Sequence, residues 1–145
     1  MNNTTVRRLH PADAVEISRI SSSITGAEHR ADFQQVIGRQ AQSEDDASFV
    51  AERDNKLVGY CISYMVSGSF GMEKSAWLAL IGVDPNFMGQ GIGEMLANGV
   101  LKHYKACGIT EIYTSVRWDS TDMLSFFKTM GFQRSDFINL HKRLK

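Results

Sequence analysis

Apolar positions recur along the chain with two periods, and each change of period marks an element. Val6 to Leu9 reads as a short strand. Behind it, His10-Pro11-Ala12-Asp13 opens a helix whose apolar side is Val15, Ile17 and Ile20. Pro11 falls near its first turn, where a missing N–H costs nothing. Ser21, Ser22, Ser23 and Gly26 are expected to break this helix. Phe33, Val36 and Ile37 repeat at helical spacing and predict a second helix from Ala31 to Gln42. After the polar run Glu44-Asp45-Asp46, strands are predicted over Ser48 to Glu52 and Leu57 to Val66, joined by Arg53-Asp54-Asn55-Lys56 as a hairpin turn. A loop from Ser67 to Lys74 leads into a third long strand, Ala76 to Val83. Asp84-Pro85 ends it, because proline cannot donate to a sheet ladder.

The second half returns to the helical period. Ile92, Met95, Leu96, Val100 and Tyr104 form the apolar stripe of a helix from Gly91 to Cys107, with Gly99 on that face allowing close packing and Gly108 stopping it. Glu111 to Val116 reads as a strand. Ser120 or Thr121 then caps a short helix carrying Met123, Phe126, Phe127 and Met130 on one side, and Gly131 terminates it. Phe137 to Leu144 is predicted as a last strand. The order β-α-α-β-β-β-α-β-α-β implies a single α/β domain over residues 1–145 with a mixed, mostly antiparallel sheet flanked by helices. No internal repeat or low-complexity tract interrupts it.

Composition agrees with a packed domain. The chain has 145 residues, 43% hydrophobic and 22% charged, enough to bury roughly 70% of its unfolded surface. Lys plus Arg equals Asp plus Glu at 16 each, so no global basic field exists to hold nucleic acid or an anionic membrane. Lys142, Arg143 and Lys145 are read as the solvated end of the last strand. No run approaches the roughly 18 apolar residues of a membrane span, and the N-terminus lacks the apolar core of a signal peptide. Cys61 and Cys107 lack C-x-x-C spacing and are expected as buried or semi-buried thiols in the cytoplasm. His10, His29, His103 and His141 are scattered without metal-ligand spacing, so no metal is expected.

The chemistry concentrates in Val83-Asp84-Pro85-Asn86-Phe87-Met88-Gly89-Gln90-Gly91-Ile92-Gly93-Glu94. A strand ends, a tight turn follows, and a helix opens among three glycines. The first N–H groups of a helix lack internal partners, and the helix dipole adds about half a positive charge there. Absent Cβ atoms let a bulky anion approach, and phosphate or pyrophosphate is the natural ligand. A P-loop would need Gly-Lys-Ser/Thr, which is missing. A dinucleotide fingerprint would need a third glycine where Glu94 stands. A coenzyme A pyrophosphate loop and a purely structural turn both remain open on these residues alone.

Taken with its neighbours, the turn resembles the signature of the GNAT acetyltransferases. That signature is an apolar-Val-Asp-Pro strand end followed by Arg/Gln-x-x-Gly-x-Gly/Ala; here stand Ile81-Gly82-Val83-Asp84-Pro85 and Met88-Gly89-Gln90-Gly91-Ile92-Gly93. A second block, Val-x-x-x-Asn-x-x-Ala-x-x-Phe-Tyr-x-x-x-Gly-Phe in the family, matches Val116 through Ser120, Met123, Phe126 and Phe127 to Gly131-Phe132. The resemblance covers nearly the whole chain. It implies acetyl-CoA as co-substrate, with pyrophosphate on the backbone N–H groups of Met88, Gly89, Gln90, Gly91, Ile92 and Gly93. It implies a strand carrying Ile81, Gly82 and Val83 paired with the pantetheine arm, a strand at Glu111 to Val116 splayed away to open a slot, and Ser120, Phe126 and Phe127 flanking the coenzyme. The implied activity is direct acetyl transfer to a primary amine whose identity the sequence does not name, with a homodimer as an expectation from the family.

Three departures from the family pattern matter. Met88 replaces Arg or Gln, and Ser120 replaces Asn. Phe127 replaces the tyrosine that in many relatives protonates the leaving thiolate, which motivates a rival reading as a non-catalytic acyl-CoA-binding regulatory module. An acceptor amine must also lose a proton before attack. Ser75 stands where family bases often lie and cannot act as one; Glu73 is the candidate catalytic base, set against the alternative of a solvated loop glutamate. Tyr60, Tyr64 and Tyr113 are expected to pack in the core.

Overall fold

The computed structural model describes residues 3–25, 31–42, 46–66 and 74–145. Contacts divide the chain into two compact units, Met1–Thr114 and Ser115–Lys145. The first holds a five-stranded sheet in the order β1-β2-β3-β4-β5: β1 Thr4–Arg8, β2 Phe49–Arg53, β3 Lys56–Val66, β4 Ser75–Val83 and β5 Ile112–Thr114. Neighbours run antiparallel except β4 and β5, which are parallel. The mixed α/β arrangement expected from the sequence is therefore present.

Two helices cover one face. His10 caps a short 3₁₀ turn, Pro11–Asp13, where the buried Asp13 carboxylate accepts from the His10 N–H at 2.8 Å. Arg7 holds the same carboxylate with two donors at 2.9 Å. Burial alone would raise the Asp13 pKa, but these hydrogen bonds outweigh it and lower the pKa below the usual carboxylate value. Helix α1 follows as Ala14–Thr25, and α2 as Ala31–Ala41. The expected break at Ser21 to Ser23 does not occur. Ser21 is buried, and the Ser23 hydroxyl donates to Arg19 O at 3.0 Å, the back-bonding by which serine is accommodated inside a helix. Ile17, Ile20 and Ile37 from these helices join Val50, Leu57, Tyr60 and Ile62 in one core cluster.

Helix α3, Ile92–Ala106, packs on β2, β3 and β4 from the other face. Ile92, Leu96, Ala97, Val100 and Tyr104 are its buried residues, close to the predicted stripe. The Tyr104 hydroxyl accepts from Ala47 N–H at 3.0 Å and shares a 2.8 Å hydrogen bond with buried Ser63 of β3. Gly99 meets only ordinary contacts, 3.8 Å or more from Phe49 and Val6, so close packing does not require a glycine there. Between β2 and β3, Asp54 and Asn55 both take positive φ (53° and 64°), the two-residue turn whose twist suits a hairpin.

The second unit contains α4, Thr121–Thr129, with Ser120 at its N-cap. Phe127 is buried, its ring edge-on to Phe126 and Phe132 at 5.1 and 5.0 Å. The predicted last strand is not formed. Residues 137–144 carry no regular secondary structure, and Ile138, Leu140 and Leu144 are at least three-quarters exposed. An apolar pattern supplies strand propensity but not the partner a strand needs. Cys61 is buried as expected; Cys107, at the solvent-facing end of α3, is exposed, against expectation. Among the described residues no helix is long and apolar enough to cross a membrane.

Candidate functional site

The site is built where β4 parts from β5. Along β3 the pairing runs Ile62↔Leu80 and then Ser63↔Leu78, so Ala79 is an extra residue on β4, a β-bulge. On the other side, β5 accompanies β4 only through Ala76↔Ile112, Trp77↔Tyr113 and Leu78↔Thr114. The Thr114 hydroxyl closes that pairing by donating to Leu78 O at 2.9 Å. From Ala79 to Val83, β4 has no β5 partner. The predicted strand at Glu111 to Val116 is thus shorter than expected, three residues, and the expected slot between the two strands begins at the bulge.

Ile81, Gly82 and Val83 form this open stretch. Gly82 is required there: a Cβ on it would lie 2.7 Å from the ring and hydroxyl of buried Tyr60 on β3. Burial, the larger influence, raises the Tyr60 pKa, and its hydrogen bond to Ser21 of α1 opposes the shift.

Beyond β4 the chain turns on a fixed corner. The Asp84 N–H donates to Val58 O at 2.8 Å, and its nearly buried carboxylate accepts from Asn86 N–H at 3.0 Å and from Arg19 of α1 at 3.4 Å. A 3₁₀ turn, Pro85–Phe87, leads to Met88. Gly89 and Gly91 then take φ values of 79° and 80°, left-handed conformations that disfavour any side chain. Nothing lies within 4 Å of a Cβ built on either, so the space above the turn is open.

The α3 ladder begins with Met95 N–H to Gly91 O at 3.0 Å. The N–H groups of Ile92, Gly93 and Glu94 precede that first bond and have no earlier turn of α3 to donate into. Met88, Gly89, Gln90 and Gly91 are exposed and Gly93 half-buried. Ile92 is 1% exposed and packs toward Gly59, so it offers the site its backbone alone. The structure brings Ile81, Gly82, Val83 and the residues from Met88 to Gly93 into one continuous stretch. Ser120, Phe126 and Phe127 belong to the second unit, and Glu73 lies outside the described residues.

Sequence reading missed a brace beneath this turn. Arg53, from the β2–β3 hairpin, donates to the Gln90 side chain, and its guanidinium sits 5.9 Å from the Phe87 ring centroid. Lys56 lies at the same distance from that ring. The hairpin sequence showed only turn residues; the cations flanking them were its one signal. A short paired turn puts two positive charges beside an anion-ready helix start.

Comparison with known proteins bears on the fold and the family. The chain is 28% identical over 101 residues to the mycothiol acetyltransferase of Amycolatopsis mediterranei (strain U-32), an alignment covering 68% of this chain and 34% of that protein. The chain thus spans about a third of the length of this curated relative. Among solved structures, it superposes with a TM-score of 0.81 on an aminoglycoside acetyltransferase from an uncultured soil metagenomic sample in complex with sisomicin, at 21% identity, covering 99% of this chain and 97% of that one. It also superposes with a TM-score of 0.82 on an aminoglycoside N-acetyltransferase in complex with CoA, at 16% identity, covering 99% and 96%. At these identities the structures establish likeness of fold. The Acetyltransferase (GNAT) family profile matches residues 14–132, and the chain belongs to that family.

Proposed function

We propose that the protein transfers the acetyl group of acetyl-CoA directly to a primary amine. The observation that carries this reading is the single stretch in which β4 bulges, parts from β5 and runs into a turn with two left-handed glycines at a helix start. The coenzyme pyrophosphate takes backbone N–H groups between Met88 and Gly93. The pantetheine arm lies along Ile81 to Val83 in place of the missing strand. The thioester carbonyl then falls beside the bulge, where an interrupted ladder leaves backbone N–H groups to polarise it.

In the transfer, the neutral amine nitrogen forms a bond to the carbonyl carbon and the C–S bond breaks. The thiolate leaves with the electron pair and takes a proton, so that the one lost by the amine is balanced. An amine of lysine type has a pKa of about 10.4 and arrives protonated. Glu73 is proposed to accept that proton through water. Phe127 has no hydroxyl to return one, and solvent protonates the thiolate. Holding amine and thioester in register supplies about 7–11 kcal/mol, against about 3–5 kcal/mol for one lost proton donor, so positioning dominates.

The second reading, a module that binds acyl-CoA without turnover, draws on Phe127, an apolar ring packed between two others. Thiol release from acetyl-CoA across a panel of amines, polyamines, amino acids and peptide N-termini separates the two. Release above the uncatalysed rate, with Phe127→Tyr changing kcat only modestly, supports transfer. No release with any amine that binds, together with release switched on by Phe127→Tyr, supports the module.

A further inference from the structure

On β4 just before the bulge, the sheet carries aromatic residues on three adjacent strands at one register. Tyr64 on β3 pairs with Trp77 on β4, and Trp77 pairs with Tyr113 on β5. The Trp77 and Tyr113 rings are stacked, 6.1 Å between centroids and 23° between planes. Alternation puts Tyr64 on the same face of β3 as Tyr60 and Ile62, the face packed by α1. Yet Tyr64, Trp77 and Tyr113 are all half-buried, unlike Tyr60 and Ile62, which are nearly closed off. The two tyrosines of the row were expected to be core packing; instead the row is only partly buried, beside the place where the ladder opens.

We propose that this row is a subsite for a second, non-reacting ammonium group of the acceptor, making the substrate a compound with two or more amino groups. The inference rests on the acetyltransferase reading. The reacting amine must be neutral at the thioester, whereas the groups that draw a cation to an aromatic row are the negative ring faces, with Trp the strongest. One amino group cannot satisfy both demands at once. Trp77 precedes Ala79 by two residues, about 7 Å along a strand. An acceptor with amino groups about that far apart places one on the row and one at the bulge. A neutral apolar acceptor would gain contact area from the rings but nothing from their charge distribution, which makes charge the discriminating variable.

The test compares two primary amines of one chain length, one ending in trimethylammonium and the other in its neutral tert-butyl counterpart. The wild type is expected to favour the cationic amine in kcat/KM by roughly three- to thirtyfold, carried by KM. Trp77→Leu should erase the preference and Trp77→Phe should keep part of it, with CoA-induced thermal stabilisation unchanged in both as the check on folding. Equal kcat/KM for the two amines in the wild type, or a preference that survives Trp77→Leu, overturns the subsite. The chain has two tryptophans, so Trp118→Phe leaves Trp77 as its one indole and supplies a readout independent of turnover. If the cationic amine perturbs Trp77 fluorescence and the neutral one does not, while no amine releases thiol, the subsite stands and the transferase reading falls. If neither perturbs it, the subsite fails whatever the activity.

Discussion

Gly82 and Gly91 stand on the two sides of the Asp84-Pro85 corner and need to be glycine for opposite reasons. Gly82 has ordinary strand geometry but no room: Tyr60 occupies the position of its missing Cβ. Gly91 has open space and a left-handed backbone. One glycine closes a core and the other keeps a surface clear. The difference separates what holds the site in place from what the site holds. Crowding is a demand made by the fold, whereas empty space above bare N–H groups at a helix start is of use to a ligand.

The contrast is sharpest if the two positions fail differently. Gly91→Val places a β-branched side chain at positive φ and in the open space over the turn. Losing two charge-assisted hydrogen bonds at about 1.5–3 kcal/mol each predicts a fall in CoA affinity of about a hundredfold or more, measured by calorimetry on protein whose circular dichroism is unchanged. Normal binding by this variant would make the turn merely structural. Gly82→Ala should instead lose about 1–3 kcal/mol of stability in denaturant titrations, as overpacked cores do. Adding Tyr60→Leu should recover part of that loss, a non-additivity that a generic strand defect would not show.

A smaller effect is expected from the closed side of the molecule at alkaline pH. Burial pushes the Cys61 thiol up to about 12, and buried Tyr60 and Tyr104 shift in the same direction, chiefly through desolvation. The unfolded thiol ionises near 8.5. The stabilisation is therefore complete below about pH 8.5 and is lost as pH rises toward about 12. Melting temperature should fall over that window, and less steeply in Cys61→Ala. Ellman's reagent should label exposed Cys107 in the native protein and Cys61 only after unfolding. The smallest effect belongs to the brace. Arg53→Ala removes an exposed contact worth about 1 kcal/mol or less, so CoA affinity should drop only a few-fold, with stability nearly unchanged.

How far these features could be read in advance depended on whether they were local. The glycine spacing, the proline corner and the α3 stripe are short-range patterns, and the structure reproduces them. The bulge at Ala79 left no trace, because Leu78, Ala79 and Leu80 are all apolar and a one-residue slip changes no pattern. Gly82 read as a possible backbone contact for a ligand, since only the cross-strand partner Tyr60 reveals its crowding. Ser21 to Ser23 read as a helix break because their local alternatives are visible in sequence, whereas the core under Ile17 and Ile20 that carries the helix onward is not. Phe137 to Leu144 failed for the same reason in reverse: propensity was present and pairing was not.

The central claim is that the turn from Met88 to Gly93 is the pyrophosphate seat of coenzyme A. Calorimetric titration of the wild-type chain with CoA, beside pantetheine lacking the pyrophosphate, tests it most directly. The account predicts saturable one-to-one binding of CoA, with pantetheine weaker by at least about tenfold, the loss of a single charge-assisted hydrogen bond. Equal affinity for the two ligands, or no CoA binding at millimolar concentration, would contradict it.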